Sequence, residues 1–170
     1  MRVITSILHV IDTINDRLGK WLSWLLLALV LILVYAVVMR YVFNNPAIWA
    51  HETSLFMFGS VGVLIGGYVL FHKGHIRMDL FYNLFSLRKR AIIDCITYPI
   101  FLFLLILIIW YGWDLADWAI KTGKTTDSMW HPILWPAKLT LPIGGVLLLI
   151  QGTADFIRNL YFAVRGRSIE

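Results

Sequence analysis

Acidic, basic and histidine side chains are absent from the four longest apolar runs of this sequence. The runs cover residues 21–39, 55–71, 95–113 and 139–154, and none contains Asp, Glu, Lys, Arg or His. Charged residues make up 15% of the chain and hydrophobic residues 59%. Soluble domains carry about 25% charged residues. The composition therefore excludes an ordinary soluble domain and predicts a membrane protein.

The lengths of these runs predict four transmembrane helices. The first and third runs have 19 residues each, which reach roughly 28 Å as helices and so match a hydrocarbon core of about 30 Å. The second and fourth runs, with 17 and 16 residues, are expected to include flanking interfacial residues or to cross with little tilt. Continuous apolar character excludes a β-barrel. The first run is longer than a signal-peptide core and lacks a small-x-small cleavage site after it, so we expect it to be retained.

Cysteine is nearly absent, and the few histidines are poorly placed for a cofactor. Cys95 alone can form neither a disulfide framework nor a thiolate metal cluster. Haem ligands must face each other at one depth on different helices, but His51 and His72 fall at opposite ends of one span. His72 and His75 have only Asp79 nearby, and a metal site needs three or four ligands. We therefore predict no catalytic, metal or cofactor site, and no enzyme.

The apolar runs also lack the features of a complete transporter. Pumps and transporters keep ionisable groups at mid-membrane depth, and many are built from internal repeats with broken helices. No repeat is visible here, and the first and third runs contain no glycine before their outer ends.

Basic residues are distributed unevenly between the two sides of the predicted spans. The N-terminal segment, the middle connection and the C-terminal segment carry 3, 5 and 3 Lys or Arg residues, and the other two connections carry 1 and 3. The totals of eleven and four place both termini in the cytoplasm by the positive-inside rule.

The fold class predicted is an all-α membrane protein, with residues 1–170 forming one four-helix domain. The pattern of residues 1–20, with apolar residues at helical spacing, predicts an amphipathic helix on the inner membrane surface. These are Ile4, Ile7, Leu8, Ile11, Ile14 and Leu18.

Tryptophans concentrate on the predicted outer side, where two interpretations stay open. An aromatic belt at the headgroup level is one, and a docking surface formed by Trp118, Trp130 and Trp135 is the other. The connection over residues 114–138 is expected to fold as a cap on this side, with Pro142 in the first turn of the fourth helix.

Two further features concern helix contacts. Gly59, Gly62 and Gly66 share one face of the second span and allow close packing, either within this unit or against another subunit. Arg40 and Glu52 carry opposite charges in the first connection. We hypothesise that they pair and form, with Trp49, a clasp at the outer rim; the alternative is that Arg40 extends to lipid headgroups.

The run "RYVFNNPAIWAHE" and the following "GSVGVLIGGYVLFHKGHIRMDL" resemble the small membrane subunit, the DctQ-like family, of tripartite ATP-independent periplasmic (TRAP) transporters. The later "SMWHPILWPAKLTLPIGGVLLLIQG" is similar to the family's approach to its fourth helix. The residues that carry the resemblance are Arg40, Tyr41, Phe43, Trp49, Glu52, Gly66, Gly67, His75, Ile76, Asp79, Ser128, Pro132, Trp135, Pro142 and Gly144. Family members often have two adjacent acidic residues where this chain has His51 and Glu52.

The resemblance implies a non-catalytic scaffold subunit of a sodium-coupled organic-acid importer in a bacterial or archaeal inner membrane. A large membrane subunit would carry the substrate and sodium sites, a periplasmic binding protein would deliver the acid, and membrane lipids would surround the complex. His75, Ile76 and Asp79 would form the family motif at the inner end of span two. The loop "WHPILWPAK" resembles members associated with monocarboxylates or 2-oxo acids.

Two other functions remain as alternatives to this reading. The chain would be either a haem- or quinone-linked anchor of a respiratory complex or an independent small transporter. A visible absorption spectrum tests the first, and uptake by the chain reconstituted alone tests the second.

Overall fold

The computed structural model describes residues 2–72 and 87–165, which form five helices in chain order. They are α1 (Arg2–Tyr41), α2 (Ile48–Leu64), α3 (Gly66–Phe71), α4 (Leu87–Thr122) and α5 (Trp135–Arg165). Helices satisfy every backbone polar group internally, which a long apolar segment requires in lipid.

Four helical segments of the described residues are long and apolar enough to cross a membrane. They cover Ser6–Tyr41, Ile48–Phe71, Ile92–Thr122 and Trp135–Val164. The prediction of four transmembrane helices is therefore confirmed. Helices α2 and α3 form a single span, because only Ile65 separates them and its amide still donates to the Val61 carbonyl at 2.9 Å.

The helices extend beyond the apolar runs because polar residues at their ends keep the helical hydrogen bonds. Residues 2–20 continue into the first span without a break, so α1 has 40 residues and a length of about 60 Å. The placement of residues 2–20 on the inner membrane surface stays a prediction. Residues 114–122 belong to α4, which leaves residues 123–134 as the connection to α5.

Pro142 lies inside α5 and not in its first turn as expected, because α5 already begins at Trp135. A proline in a helix interior removes one backbone donor and needs space for its ring. Gly112 of α4 provides that space: a Cβ added there would lie 3.1 Å from Pro142 Cδ.

The spans are arranged as a row rather than around one central core. Helix α4 packs on α5, α5 packs on α2 and α3, and α1 packs on α2, on α3 and on part of α5. Small side chains line many of these contacts, as expected where no hydrophobic force drives helices together in lipid. Buried alanines are Ala50, Ala116, Ala119 and Ala154.

Helix α1 is attached through one narrow stripe of side chains. Leu8, Asn15, Leu22 and Leu29 are buried and recur every seven residues, the spacing of a helix-packing seam. Its other faces expose large apolar residues, including Trp21 at 73% and Trp24 at 70% of full exposure. In a membrane these faces contact lipid or another protein.

Candidate functional site

A buried polar cluster joins the first and last helices, near the N-terminus of α1 and the C-terminus of α5. Asn15 Nδ2 donates to Gln151 Oε1 at 2.8 Å, and Gln151 Nε2 donates to Asp12 Oδ1 at 3.2 Å. Arg158 donates to Asp12 Oδ2 at 2.5 Å and to Asp155 Oδ1 at 3.1 Å. We call these five residues the terminal latch. We call the side of the four-span unit on which they lie, where α1 begins and α5 ends, the terminal end.

The terminal latch joins α1 to α5, and most of its hydrogen-bonding groups already have partners within the protein. Gln151 is fully buried and Asn15 is 2% exposed, and both are hydrogen-bonded within the protein, as buried polar groups require. Asn15 Nδ2 also donates to the Ile11 carbonyl at 3.2 Å. Arg158 compensates the charge of Asp12, which is only partly exposed. Gly67 makes room for Asn15, because a Cβ added at Gly67 would lie 2.4 Å from Asn15 Oδ1.

The terminal latch was not predicted from the sequence. Asn15 and Gln151 are 136 residues apart, and nothing in the local pattern of either segment links them. The available signal was a pair of amide side chains, Asn15 shortly before the first apolar run and Gln151 inside the fourth, since an isolated buried amide is unfavourable in lipid.

Polar contacts also join α4 to α5 at the terminal end. Tyr98 Oη lies 2.9 Å from Thr153 Oγ1, and Asn159 Nδ2 donates to Asp94 Oδ2 at 3.1 Å. The Tyr98 ring stacks on Phe156 with ring centroids 4.2 Å apart. At the terminal end, side-chain hydrogen bonds therefore connect α1 to α5 and α5 to α4.

The opposite end, which we call the loop end, contains the predicted clasp residues. Among the described residues, which include both Arg40 and Glu52, no ion pair joins these two side chains. Arg40 is exposed, and Glu52 instead accepts a hydrogen bond from Thr126 Oγ1 at 3.1 Å. Trp49 contacts Tyr35 of α1, with ring centroids 5.8 Å apart. An aromatic contact, not the expected charge pair, closes the hairpin between α1 and α2.

The connection over residues 123–134 folds back on itself at the loop end. Thr125 and Ile133 form an isolated antiparallel bridge, and the Thr126 amide donates to the Pro132 carbonyl at 3.1 Å. Gly123 and His131 have positive φ angles of 57° and 49°, which allow the chain to reverse direction twice.

The three tryptophans considered for docking lie on separate elements at the loop end. Trp118 is on α4, Trp130 is in the connection and Trp135 begins α5; each is between 40% and 46% exposed. Two lysine ammonium groups lie over Trp118, Lys124 Nζ at 5.1 Å and Lys138 Nζ at 4.9 Å from the ring centroid. Trp130 lines a shallow cavity of about 360 Å³ together with Tyr35, Trp49 and Met129.

The glycines of span two divide into two groups. Gly66 packs within the unit, where an added Cβ would contact Leu148 at 3.4 Å, whereas Gly59 and Gly62 have nothing within 4 Å of an added Cβ. These two share an exposed stripe with neighbouring side chains of α2. We call this stripe the open face; its residues are His51, Leu55, Phe58, Gly59 and Gly62.

Other glycines make the close helix contacts within this unit. A Cβ added at Gly144 would lie 2.7 Å from the Val63 carbonyl oxygen, and one at Gly152 would lie 2.4 Å from Phe101 Cε1. The spacing of glycines along a helix did not show which neighbouring helix each glycine would contact.

The inner-face motif residues His75, Ile76 and Asp79 lie outside the described residues. His72, just before them, is exposed, with its Nε2 3.9 Å from Asp16 Oδ1 and its ring 4.2 Å from that of Tyr68. Asp16 also accepts from Lys20 at 2.6 Å.

Four apolar spans, a small internal core and wide exposed apolar faces define a multi-pass membrane protein whose outer faces contact lipid or other chains. Residues 29–161 match the family described as the DctQ component of tripartite ATP-independent periplasmic transporters. The chain belongs to this family and is a small membrane subunit of a TRAP transporter, as the resemblance indicated.

A curated relative supports this membership. The chain is 25% identical over 179 aligned residues to the C4-dicarboxylate TRAP transporter small permease protein DctQ of Vibrio cholerae, and the alignment covers 90% of this chain and 74% of the relative. Members of the family act in a complex with a larger membrane subunit and a substrate-binding protein.

Proposed function

We propose that this chain is the fixed scaffold of a sodium-coupled importer of organic acids. The large membrane subunit carries the substrate and sodium sites, and this chain holds that subunit in position. Both termini lie in the cytoplasm, as the eleven-to-four distribution of basic residues favours. A C-terminal green fluorescent protein fusion should fluoresce and a C-terminal alkaline phosphatase fusion should be inactive; the reverse pattern would contradict this orientation.

The observation that carries the scaffold proposal is how the buried polar side chains are used. In the described residues, Asn15, Ser54 and Gln151 are buried and each bonds within the chain. Ser54 donates to the Ala50 carbonyl at 2.6 Å. A site for a charged substrate needs polar groups directed at that substrate. These three side chains bond to groups of the protein itself instead: Asn15 and Gln151 join two helices, and Ser54 bonds to its own helix.

The open face is the surface we assign to the large subunit. A glycine inside a helix costs about 1 kcal/mol relative to alanine, and Gly59 and Gly62 make no close contact within the unit that would offset this cost. A second chain packing on α2 would use the space they leave. Phe58, which is 67% exposed, lies beside them and supplies apolar contact area.

A bulky substitution tests this assignment. Gly62→Leu should leave the isolated chain folded and reduce co-purification of the large subunit at least about tenfold, because the added side chain fills the contact. Ile100→Phe on α4, at a side chain that is 64% exposed, is the control and should not change complex yield. Equal complex yield for both variants would show that the large subunit binds elsewhere.

The loop end is the surface we assign to the periplasmic binding protein. Trp118, Trp130 and Trp135 are half-exposed aromatic side chains there, a residue type enriched at protein interfaces. Replacing all three by Leu should weaken binding of the soluble protein and lower uptake while the membrane complex stays assembled. Unchanged affinity and uptake would contradict the docking surface and favour the interpretation of these tryptophans as an aromatic belt.

The substrate is an organic acid whose identity is set by the other two subunits. The Vibrio cholerae relative is named for C4-dicarboxylates, whereas the "WHPILWPAK" loop resembles members associated with monocarboxylates or 2-oxo acids. Uptake assays with the complete three-component system and labelled acids of each class would distinguish them.

A further inference from the structure

A narrow apolar groove runs down one side of the row from the loop end. It has a volume of about 440 Å³ and lies between α1, α2 and the first turns of α5, beneath the connection. Its lining includes Trp130 at the top, Thr53, Met57 and Ala137 along its length, and Leu25 and Leu64 at the bottom.

The groove covers the depth of one membrane leaflet. From Thr53 to Leu64 is eleven helical residues, or about 16 Å, and one leaflet of the hydrocarbon core is about 15 Å thick. Trp130 is 46% exposed at the upper end, where tryptophan favours the headgroup region. The groove thus begins at the membrane surface and ends near mid-depth.

The volume of the groove fits a single extended chain and not a helix. A helix segment of one leaflet depth and about 10 Å diameter occupies roughly 1,200 Å³, well above the 440 Å³ available. The apolar lining matches the chemistry of a hydrocarbon chain, and the groove is open at the protein surface.

One polar group near the top of the groove lacks a partner. Thr53 Oγ1 is buried and has no hydrogen-bond partner among the described residues. A buried hydroxyl without a partner is unfavourable. Thr53 lies five residues, or about 7.5 Å, below the start of α2 at Ile48. Because Thr53 lines the groove, an ester carbonyl of a molecule bound there would supply the missing acceptor.

We propose that this groove binds a diacyl phospholipid from the leaflet at the loop end, with one acyl chain between α1, α2 and α5 and an ester carbonyl accepting a hydrogen bond from Thr53. The bound lipid fills a gap in the row and becomes part of the scaffold. This inference goes beyond the proposed function and does not depend on the transported substrate.

Photolabelling of the full chain tests the proposal. The probe is a phosphatidylethanolamine with a diazirine in the middle of one acyl chain, added to vesicles containing the chain alone or with its large subunit, followed by a detergent wash before irradiation. Peptide mass spectrometry should find the label concentrated in residues 53–64 and not on the exposed face of α4 over residues 96–108. Ala137→Phe, which fills the groove, should reduce the label in α2 at least about fivefold.

Two further variants separate groove binding from a general change in structure. Val146→Phe adds the same ring to α5 at an exposed position that does not line the groove, and it should leave the label unchanged. Thr53→Val keeps the shape and removes the hydroxyl, and it should lower the label about two- to fivefold, as expected for one hydrogen bond.

Three results would overturn the proposal. The first is labelling of α2 no stronger than that of α4, and the second is equal labelling of Ala137→Phe and the unmodified chain. The third is label that appears in the chain alone and disappears in the assembled complex, since a side chain of the large subunit would then occupy the groove. If Thr53→Val and the unmodified chain were labelled equally, the proposed hydrogen bond between Thr53 and the ester carbonyl would be contradicted.

Discussion

The terminal end and the loop end of the helix row are stabilised by different kinds of contact. At the terminal end, side-chain hydrogen bonds connect α1, α5 and α4, and two of the amides involved are almost completely buried. At the loop end, one bond from Thr126 to Glu52 joins the connection to α2, and aromatic side chains stay half exposed. The first end uses its polar groups internally, whereas the second leaves surface for other molecules.

This difference indicates how a protein with little core of its own can serve as a scaffold. Hydrogen bonds between helices fix their relative positions where lipid supplies no hydrophobic force. The terminal latch therefore sets the geometry of the row, and the loop end and the open face can change contacts without disturbing it. Three predictions test this division.

The largest effect is expected from a methyl group at the terminal end. Gly67→Ala would place a Cβ 2.4 Å from Asn15 Oδ1, so the latch must shift, and the free energy of unfolding should fall by about 1–3 kcal/mol. Gly62→Ala is the control on the same span, with nothing within 4 Å of its Cβ; it should be neutral or slightly stabilising. Unfolding in detergent followed by circular dichroism measures both. Equal stability of the two variants would contradict the assignment of Gly67 to the packed face.

A somewhat smaller effect is expected when the buried amide pair is broken. Gln151→Leu removes the partner of Asn15 and one donor to Asp12, and it should destabilise the chain by about 1–2 kcal/mol. The double variant Asn15→Leu/Gln151→Leu should recover part of this loss, since no unpaired amide then remains buried. Thr97→Val, which loses only bonds to its own helix, should change stability little. Additive losses in the double variant would show that the two amides act independently.

The smallest effects are expected at the loop end. Thr126→Val removes the donor to Glu52, a partly buried bond, and should cost less than about 1 kcal/mol. Arg40→Gln should not change stability, because Arg40 is exposed and forms no ion pair with Glu52 among the described residues. If Arg40→Gln lowered the unfolding temperature as much as Thr126→Val, the original pairing of Arg40 with Glu52 would regain support.

The sequence was sufficient for the class of fold and for the family because both depend on local information. Four apolar runs without acidic, basic or histidine residues predict four spans wherever the helices lie relative to one another. The family motif is a continuous string from Arg40 to Glu52 followed by the small residues of span two. The helix bounds were less predictable: the polar residues that flank each run remain helical, so the connection over 123–134 is shorter than the apolar pattern suggested.

The contacts between helices could not be read from the same information. The equal spacing of Gly59, Gly62 and Gly66 does not show that Gly66 meets Leu148 while the other two are open, because that depends on how each helix is rotated about its axis. The opposite charges of Arg40 and Glu52 suggested a pair, yet Thr126 from a distant connection is the group that reaches Glu52.

The sequence by itself determined that this protein crosses the membrane four times and belongs to the small-subunit family of TRAP transporters, since hydropathy and motifs are properties of the chain. Only the tertiary structure decided which polar groups are used internally and which faces stay open. The reason is physical: the hydrogen bond between Asn15 and Gln151 forms only when α1 and α5 pack together, and the exposure of a helix face depends on how that helix packs on its neighbours.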